Sequence, residues 1–263
     1  QGAAVPAFGM KDKLGYMFGD FGNDFSFIFA STYLMVFYTK VLGISGAVVG
    51  MLFLAARVVD AFTDVTMGRI VDNMKPASDG RFRPWIRRMC VPVAIASTLM
   101  YGFFVKDWPY AAKMIYVVIT YLFWGSFCYT AINIPYGSMA SVISPEAGDR
   151  ASLSTFRSVG ASLAGLVIGT LGPLLVFGED EAGNQIVYPL RLTTMAAVCG
   201  VCAIICYLLC YKLCVERVHF EAKEKGQRES AGELFKSLLR NRPLFALVGA
   251  ALVLLLATLI GQA

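Results

Sequence analysis

Four ionisable residues stand inside stretches apolar enough to cross a membrane: Asp24 in one, and Arg57, Asp60 and Asp64 together in the next. At a bilayer centre each such group costs about 2.5 to 3.5 kcal/mol on insertion scales, so four facing lipid would cost roughly 10 kcal/mol. They must therefore turn inward, toward one another or a cavity. Arg57, Asp60 and Asp64 are spaced by three and four residues, which sets all three on one helix face. Two carboxylates one turn apart form a hard-oxygen donor set for a small cation or a shared proton. Such a pair titrates as a coupled unit unless Arg57 or a bound ion neutralises it. A plain Arg57–Asp60 salt bridge is the structural alternative, and it would leave Asp64 without a local partner.

Positioning these groups is a task for membrane helices. The chain is 57% hydrophobic and 16% charged, with a mean hydropathy of +0.63, whereas a soluble domain carries roughly 25% charged residues. Counting apolar runs of about 20 residues gives seven candidate spans: Leu14 to Tyr38, Ile44 to Val71, Trp85 to Val105, Ala111 to Ile143, Leu153 to Phe177, Leu190 to Val215 and Pro243 to Ile260. The second and fourth are long enough to tilt or project from the bilayer. Gln1 to Met10 reads as a soluble tail rather than a cleaved signal, so the first span is expected in the mature protein.

The net charge of +5 reports topology rather than nucleic-acid binding, because the basic residues fall in short loops. With Arg57 set aside, eighteen Lys and Arg lie on the side of Lys11 and four on the other, which predicts a cytoplasmic N-terminus. The acidic loop Gly178 to Tyr188 is then external.

Between the second and third spans runs Asp64-x-x-x-Gly68-x-x-x-Asp72, followed by Gly80-Arg81-Phe82-Arg83-Pro84-Trp85. By itself this reads as a basic turn held by Gly and Pro. The block nevertheless resembles the signature of the glycoside-pentoside-hexuronide:cation symporters, a branch of the major facilitator superfamily that includes the melibiose permeases. The resemblance extends to Lys13-Leu14-Gly15-Tyr16 with Asp24-Phe25, to Ala56–Asp64, to Tyr129-Thr130-Ala131-Ile132-Asn133-Ile134-Pro135-Tyr136, and to Arg157 with Ala161–Gly165.

This resemblance implies an all-α membrane protein: a tail (1–12), an N-terminal six-helix bundle (13–216), a cytoplasmic linker (217–242) and the seventh helix opening the C-terminal bundle (243–263). Members have twelve spans in two bundles that rock about a midplane site, so a missing C-terminal six-helix half is an implied partner, beside the lipid bilayer. The resemblance further implies cation coupling, by Na+ or H+ and with no other cofactor, at Asp60, Asp64 and Thr130. It implies sugar binding by Asp24, Arg157 and the helix-four groups Asn133, Tyr129 and Tyr136, with Gly68, Asp72, Gly80, Arg81 and Arg83 as a cytoplasmic signature loop or gate.

Carboxylate and guanidinium suit a polyol, one accepting paired hydroxyls and the other donating a planar fork. Asn133 and Gly137 stand where melibiose-type members carry aspartate and tryptophan, which favours a xyloside or glucuronide over a galactoside; a different solute such as a lysolipid is the alternative. A helix-end position is open for Asp24, a basic anchor for Arg157, and simple packing for Tyr129, Trp124 and Tyr136. Cys199, Cys202, Cys206, Cys210 and Cys214 read as small packing residues, Gly160, Gly165, Gly169 and Gly172 as points of close helix approach, and His219 as a solvated side chain. Ser230-x-x-Glu233 opens an amphipathic linker helix through Leu234, Phe235, Leu238 and Leu239. No H-E-x-x-H occurs, and the sole histidine does not pair with a membrane serine, so no catalytic residues are expected.

Overall fold

A computed structural model describes residues 6–179 and 185–218. The chain divides into two units, Gln1–Phe220 and Glu221–Ala263, and every described residue belongs to the first. The expected linker helix, the seventh span and His219 lie outside the described residues, as do Asp180 and Glu181 of the acidic loop.

Six helical rods make up the described unit. The first is α1 (Met10–Val36), extended by a π turn (Phe37–Val41); α2 (Gly46–Asn73) and α3 (Arg83–Leu99) follow. The fourth rod runs without a break through α4 (Tyr110–Leu122), a second π turn (Phe123–Tyr129) and α5 (Thr130–Ile143). After α6 (Ala147–Val176) a short antiparallel ribbon, β1 (Phe177–Glu179) with β2 (Gln185–Val187), leads into α7 (Pro189–Leu213). The local chemistry explains several of the starts: the Ser45 hydroxyl accepts the Val48 N–H at the head of α2, and prolines open α3 and α7, where no donor is lost.

Among the described residues five segments are long and apolar enough to span a bilayer: Gly46–Asn73, Arg83–Val105, Tyr110–Ile143, Ala147–Val176 and Pro189–Leu213. The 27-residue α1 has the length, but it carries Lys11, Asp12, Lys13, Asp20 and Asp24. It sits within the bundle, against both α6 and α7; α7 packs on α3, and α5 packs on both α3 and α2. The rings of Phe29, Tyr33, Phe37 and Tyr101 fill the interior at centroid distances of 5.0 to 5.4 Å. Exposed Phe62, Leu166 and Leu174 leave an apolar surface that suits hydrocarbon.

The small-residue stripe of α6 does its work at two of the four expected positions. A Cβ on Gly160 would stand 2.5 Å from the Met17 carbonyl of α1, whereas Gly169 faces open space. The helices therefore touch at Gly160, and at Gly172 against Tyr33, rather than along Gly165 and Gly169. The cysteines of α7 are free; Cys199, Cys206 and Cys210 are buried as packing residues.

Two boundaries differ from the sequence expectation. α6 begins at Ala147 rather than near Leu153, because Asp149 accepts from the Ser144 hydroxyl at 2.6 Å and Arg150 donates to the Pro145 carbonyl at 2.6 Å. A charged first turn satisfied in this way continues the helix instead of ending it. At the other boundary, Arg217 belongs to the bundle and not to a linker. It grips Asp12 through both carboxylate oxygens at 3.0 and 2.9 Å, and its own N–H reaches the Val142 carbonyl at 2.7 Å.

Candidate functional site

Asp60 and Asp64 lie near the middle of α2 and face the fourth rod. The Thr130 hydroxyl donates to Asp64 Oδ1 at 2.8 Å, and the Ser126 hydroxyl donates to Asp60 Oδ1 at 2.5 Å. Arg57 sits 3.5 Å from Asp60 Oδ2 and donates to the Tyr121 hydroxyl at 3.4 Å. The salt bridge and the carboxylate–hydroxyl set thus coexist, and Asp64 finds its partner on another helix. The π turn is what aims both hydroxyls at α2: Ser126 lies inside it, and Thr130 closes it by donating its N–H to the Gly125 carbonyl five residues back. Such wide turns recur at functional positions in helices.

A cavity of about 240 Å³ opens on these groups and is lined by Asp60, Asp64, Thr130, Asn133, Tyr129 and Arg57, with Phe27, Tyr121, Trp124 and Gly125 completing the wall. Beside it, sharing Phe27, Arg57, Tyr121 and Trp124, is a more apolar cavity of about 420 Å³. The buried Trp124 indole N–H has no hydrogen-bond partner among the described residues, an orphan donor in the wall of both chambers. Hard carboxylate and hydroxyl oxygens are the donor types an alkali cation takes, so the side chains fit such an ion.

The sugar-contact residues expected from the resemblance separate into two groups. Asn133 and Tyr129 line the polar cavity. Asn133 accepts from Asn23 at 3.4 Å, and Asn23 in turn accepts from the Tyr207 hydroxyl at 2.8 Å. Tyr129 stacks on Phe27, with centroids 5.6 Å apart. Tyr136 is withdrawn: it is fully buried, its ring stacks on Tyr16 at 4.7 Å and its hydroxyl is bound to the Tyr16 carbonyl at 2.7 Å, so it offers no surface to a ligand. A side chain at Gly137 would meet open space.

Arg157 is not an end anchor. It stands about three turns inside α6 and donates to Asp20 Oδ1 at 2.8 Å, a carboxylate with only 7% of its side chain exposed. Asp20 escaped the sequence reading, which singled out Asp24 one turn further on. Asp24 is half-buried and makes no hydrogen bond or ion pair with another described residue, so its acceptors are free. Ser126 and Asn23 were missed as well; a serine in an aromatic run and an amide beside an aspartate carry no pattern of their own.

The signature block also divides. Gly80, Arg81 and Arg83 meet around Glu216, which accepts the backbone N–H groups of Arg81, Phe82 and Arg83 at 2.7, 2.9 and 2.8 Å. Gly80 has a φ of +119°, and any Cβ there would strike the Glu216 carboxylate. The Arg83 side chain binds the Tyr211 carbonyl, and the Tyr211 hydroxyl binds Asp79 at 2.8 Å. Gly68 and Asp72 stay on α2, away from this cluster, and Asp72 is exposed with no hydrogen bond or ion pair to another described residue.

Membrane-length helices packed around an interior pocket of carboxylates, hydroxyls and aromatic rings are the build of an integral membrane protein. Residues 15–263 match the model of a family described as MFS/sugar transport protein, and the chain belongs to that family. Among its relatives are a glucuronide carrier protein homolog of Escherichia coli, 33% identical over 93% of this chain and 51% of the relative, and an uncharacterized symporter of Bacillus subtilis, 34% identical over 92% and 51%. An inner membrane symporter of Escherichia coli is 33% identical over 87% and 48%. The chain spans about half the length of the curated relatives it matches. The resemblance read from the signature residues to the glycoside–cation symporter branch stands.

Proposed function

We propose that the chain forms the N-terminal bundle of a cation-coupled symporter for a sugar or glycoside, seated in a bacterial inner membrane with its N-terminus in the cytoplasm. The observation that carries this reading is the pairing of Asp60 and Asp64 with two hydroxyls across one cavity. The family and the symporter and carrier names of the relatives support it. In this reading Asp60, Asp64 and Thr130 hold Na+ or H+, while Asp24, Asn133, Tyr129 and Arg157 present acceptors, donors and a ring face to the sugar. Asn133 and the space at Gly137 favour a xyloside or glucuronide over an α-galactoside. Access alternates when a second six-helix bundle rocks over this cavity.

The test is uptake into proteoliposomes of a panel of β-xylosides, glucuronides and α-galactosides under imposed Na+ or pH gradients. The 263-residue chain alone should insert without saturable uptake, and a version joined to a complementary C-terminal bundle should show uptake that one of the two gradients drives. Uptake indifferent to both gradients would overturn the coupling, and a preference for α-galactosides would overturn the sugar assignment.

A further inference from the structure

Asp60 is pulled in two directions. Ser126 donates to its Oδ1 at 2.5 Å from the π turn of the fourth rod, while Arg57 stands 3.5 Å from its Oδ2 on the same helix. Among the described residues Asp64 is held through Oδ1 alone, by Thr130. The two hydroxyls also differ in what else they can do. Thr130 Oγ1 lies 3.2 Å from the Gly125 carbonyl, so its proton can swing to that acceptor and leave its lone pairs to an incoming cation. Ser126 has Asp60 as its acceptor, and no second one is found among the described residues.

We infer that Ser126 is a positioning residue of the cation site: it fixes Oδ1 of Asp60 at the wall of the fourth rod against the pull of Arg57 on Oδ2, so that both carboxylates meet an alkali cation such as Na+. The inference rests on the cation-coupled reading above and narrows it. A proton would need only one carboxylate, whereas two carboxylates kept facing one cavity, with a hydroxyl free to re-aim, suit a metal ion that takes several oxygens at once. Without Ser126 the nearest charged partner of Asp60 among the described residues is Arg57, already 3.5 Å away, and tightening that salt bridge would draw one carboxylate from the site.

Na+ binding to the purified chain in detergent micelles, by calorimetric titration against a choline control, separates the possibilities. Ser126→Ala should weaken Na+ binding about tenfold, the scale of one hydrogen bond to a charged group. Ser126→Thr, which keeps the hydroxyl, should restore it. In an Arg57→Gln background the competitor is gone, and the Ser126→Ala effect should shrink to about twofold or less, a coupling that a merely structural role would not produce. Helicity by circular dichroism identifies variants that keep the fold, and Ser126→Cys supplies a second small replacement. Unchanged Na+ binding in folded Ser126→Ala, or an equal loss with and without Arg57, overturns the positioning role and leaves the transporter reading standing. Absence of Na+ binding in the unsubstituted chain overturns the inference and leaves proton coupling as the form of that reading to test.

Discussion

The end of the bundle where α1 begins and the middle of the bundle both gather carboxylates, arginines and hydroxyls, yet they treat charge in opposite ways. At that end Asp12 is 2% exposed and gripped by Arg217 through both oxygens, and Glu216 closes on three backbone donors at once. Both of these carboxylates have their acceptors filled by the protein. In the middle, Asp64 lines a cavity with one oxygen free of described partners, Asp24 has both free of described partners, and Trp124, in the same wall, buries an indole N–H with none. Saturated charge is mortar, joining α1, the α2–α3 turn, α5 and the segment after α7. Charge with spare capacity beside a cavity is available to a ligand.

The comparison can be broken most forcefully at Asp12. Asp12→Ala removes the carboxylate that Arg217 grips in a mostly enclosed position and should cost about 3 to 5 kcal/mol in unfolding measured in detergent. A change too small to resolve would mean that this contact is not structural. Gly80→Ala comes next, at about 1 to 3 kcal/mol, because it combines the cost of a positive φ with a collision against Glu216. Asp20→Asn sharpens the boundary between the regions. The Asp20–Arg157 pair lies mid-bundle but is mutually satisfied, and with Arg157 44% exposed the loss should be only about 1 kcal/mol. If Arg157 contacts the sugar, the same variant should weaken glycoside binding more than it weakens the fold.

Asp79, in the α2–α3 turn, offers a milder test by pH. Partial burial works against its charged form, but the hydrogen bond from Tyr211 and the nearby Arg87 and Arg83 outweigh it and hold its carboxyl below the usual range. A depressed folded value means that its contribution is present above the unfolded carboxylate value of about 3.9 and is lost as pH falls through the folded one. Protease sensitivity of the α2–α3 turn should therefore rise below about pH 4, and Tyr211→Phe should remove most of that dependence. The smallest effect belongs to Asp72→Asn, expected within about 0.5 kcal/mol on this chain.

Same-helix spacing made the α2 face legible in the sequence: Arg57, Asp60 and Asp64 needed only the helical period. The signature around Gly80 was legible as a motif, but its partner, Glu216, was not, since the two lie over a hundred residues apart in the chain and meet through backbone donors that carry no residue signature. The pairing of Asp20 with Arg157 was hidden by a similar separation along the chain. The start of α6 was misplaced because Asp149 and Arg150 look like a loop until their local hydrogen bonds are known. Ser126 depended on the π turn, which shifts the helical register so that a serine among aromatics reaches Asp60.

The proposed division, with open-valence carboxylates binding the ion and saturated ones holding the fold, is tested most directly by the rise in melting temperature on adding the coupling ion. Measured side by side, Asp64→Asn should melt close to the unsubstituted chain but lose the ion-induced rise, whereas Asp12→Asn should melt well below it and keep the rise. An Asp64→Asn protein that still responds to the ion, or an Asp12→Asn protein of unchanged melting temperature that no longer does, would contradict the division between the two regions.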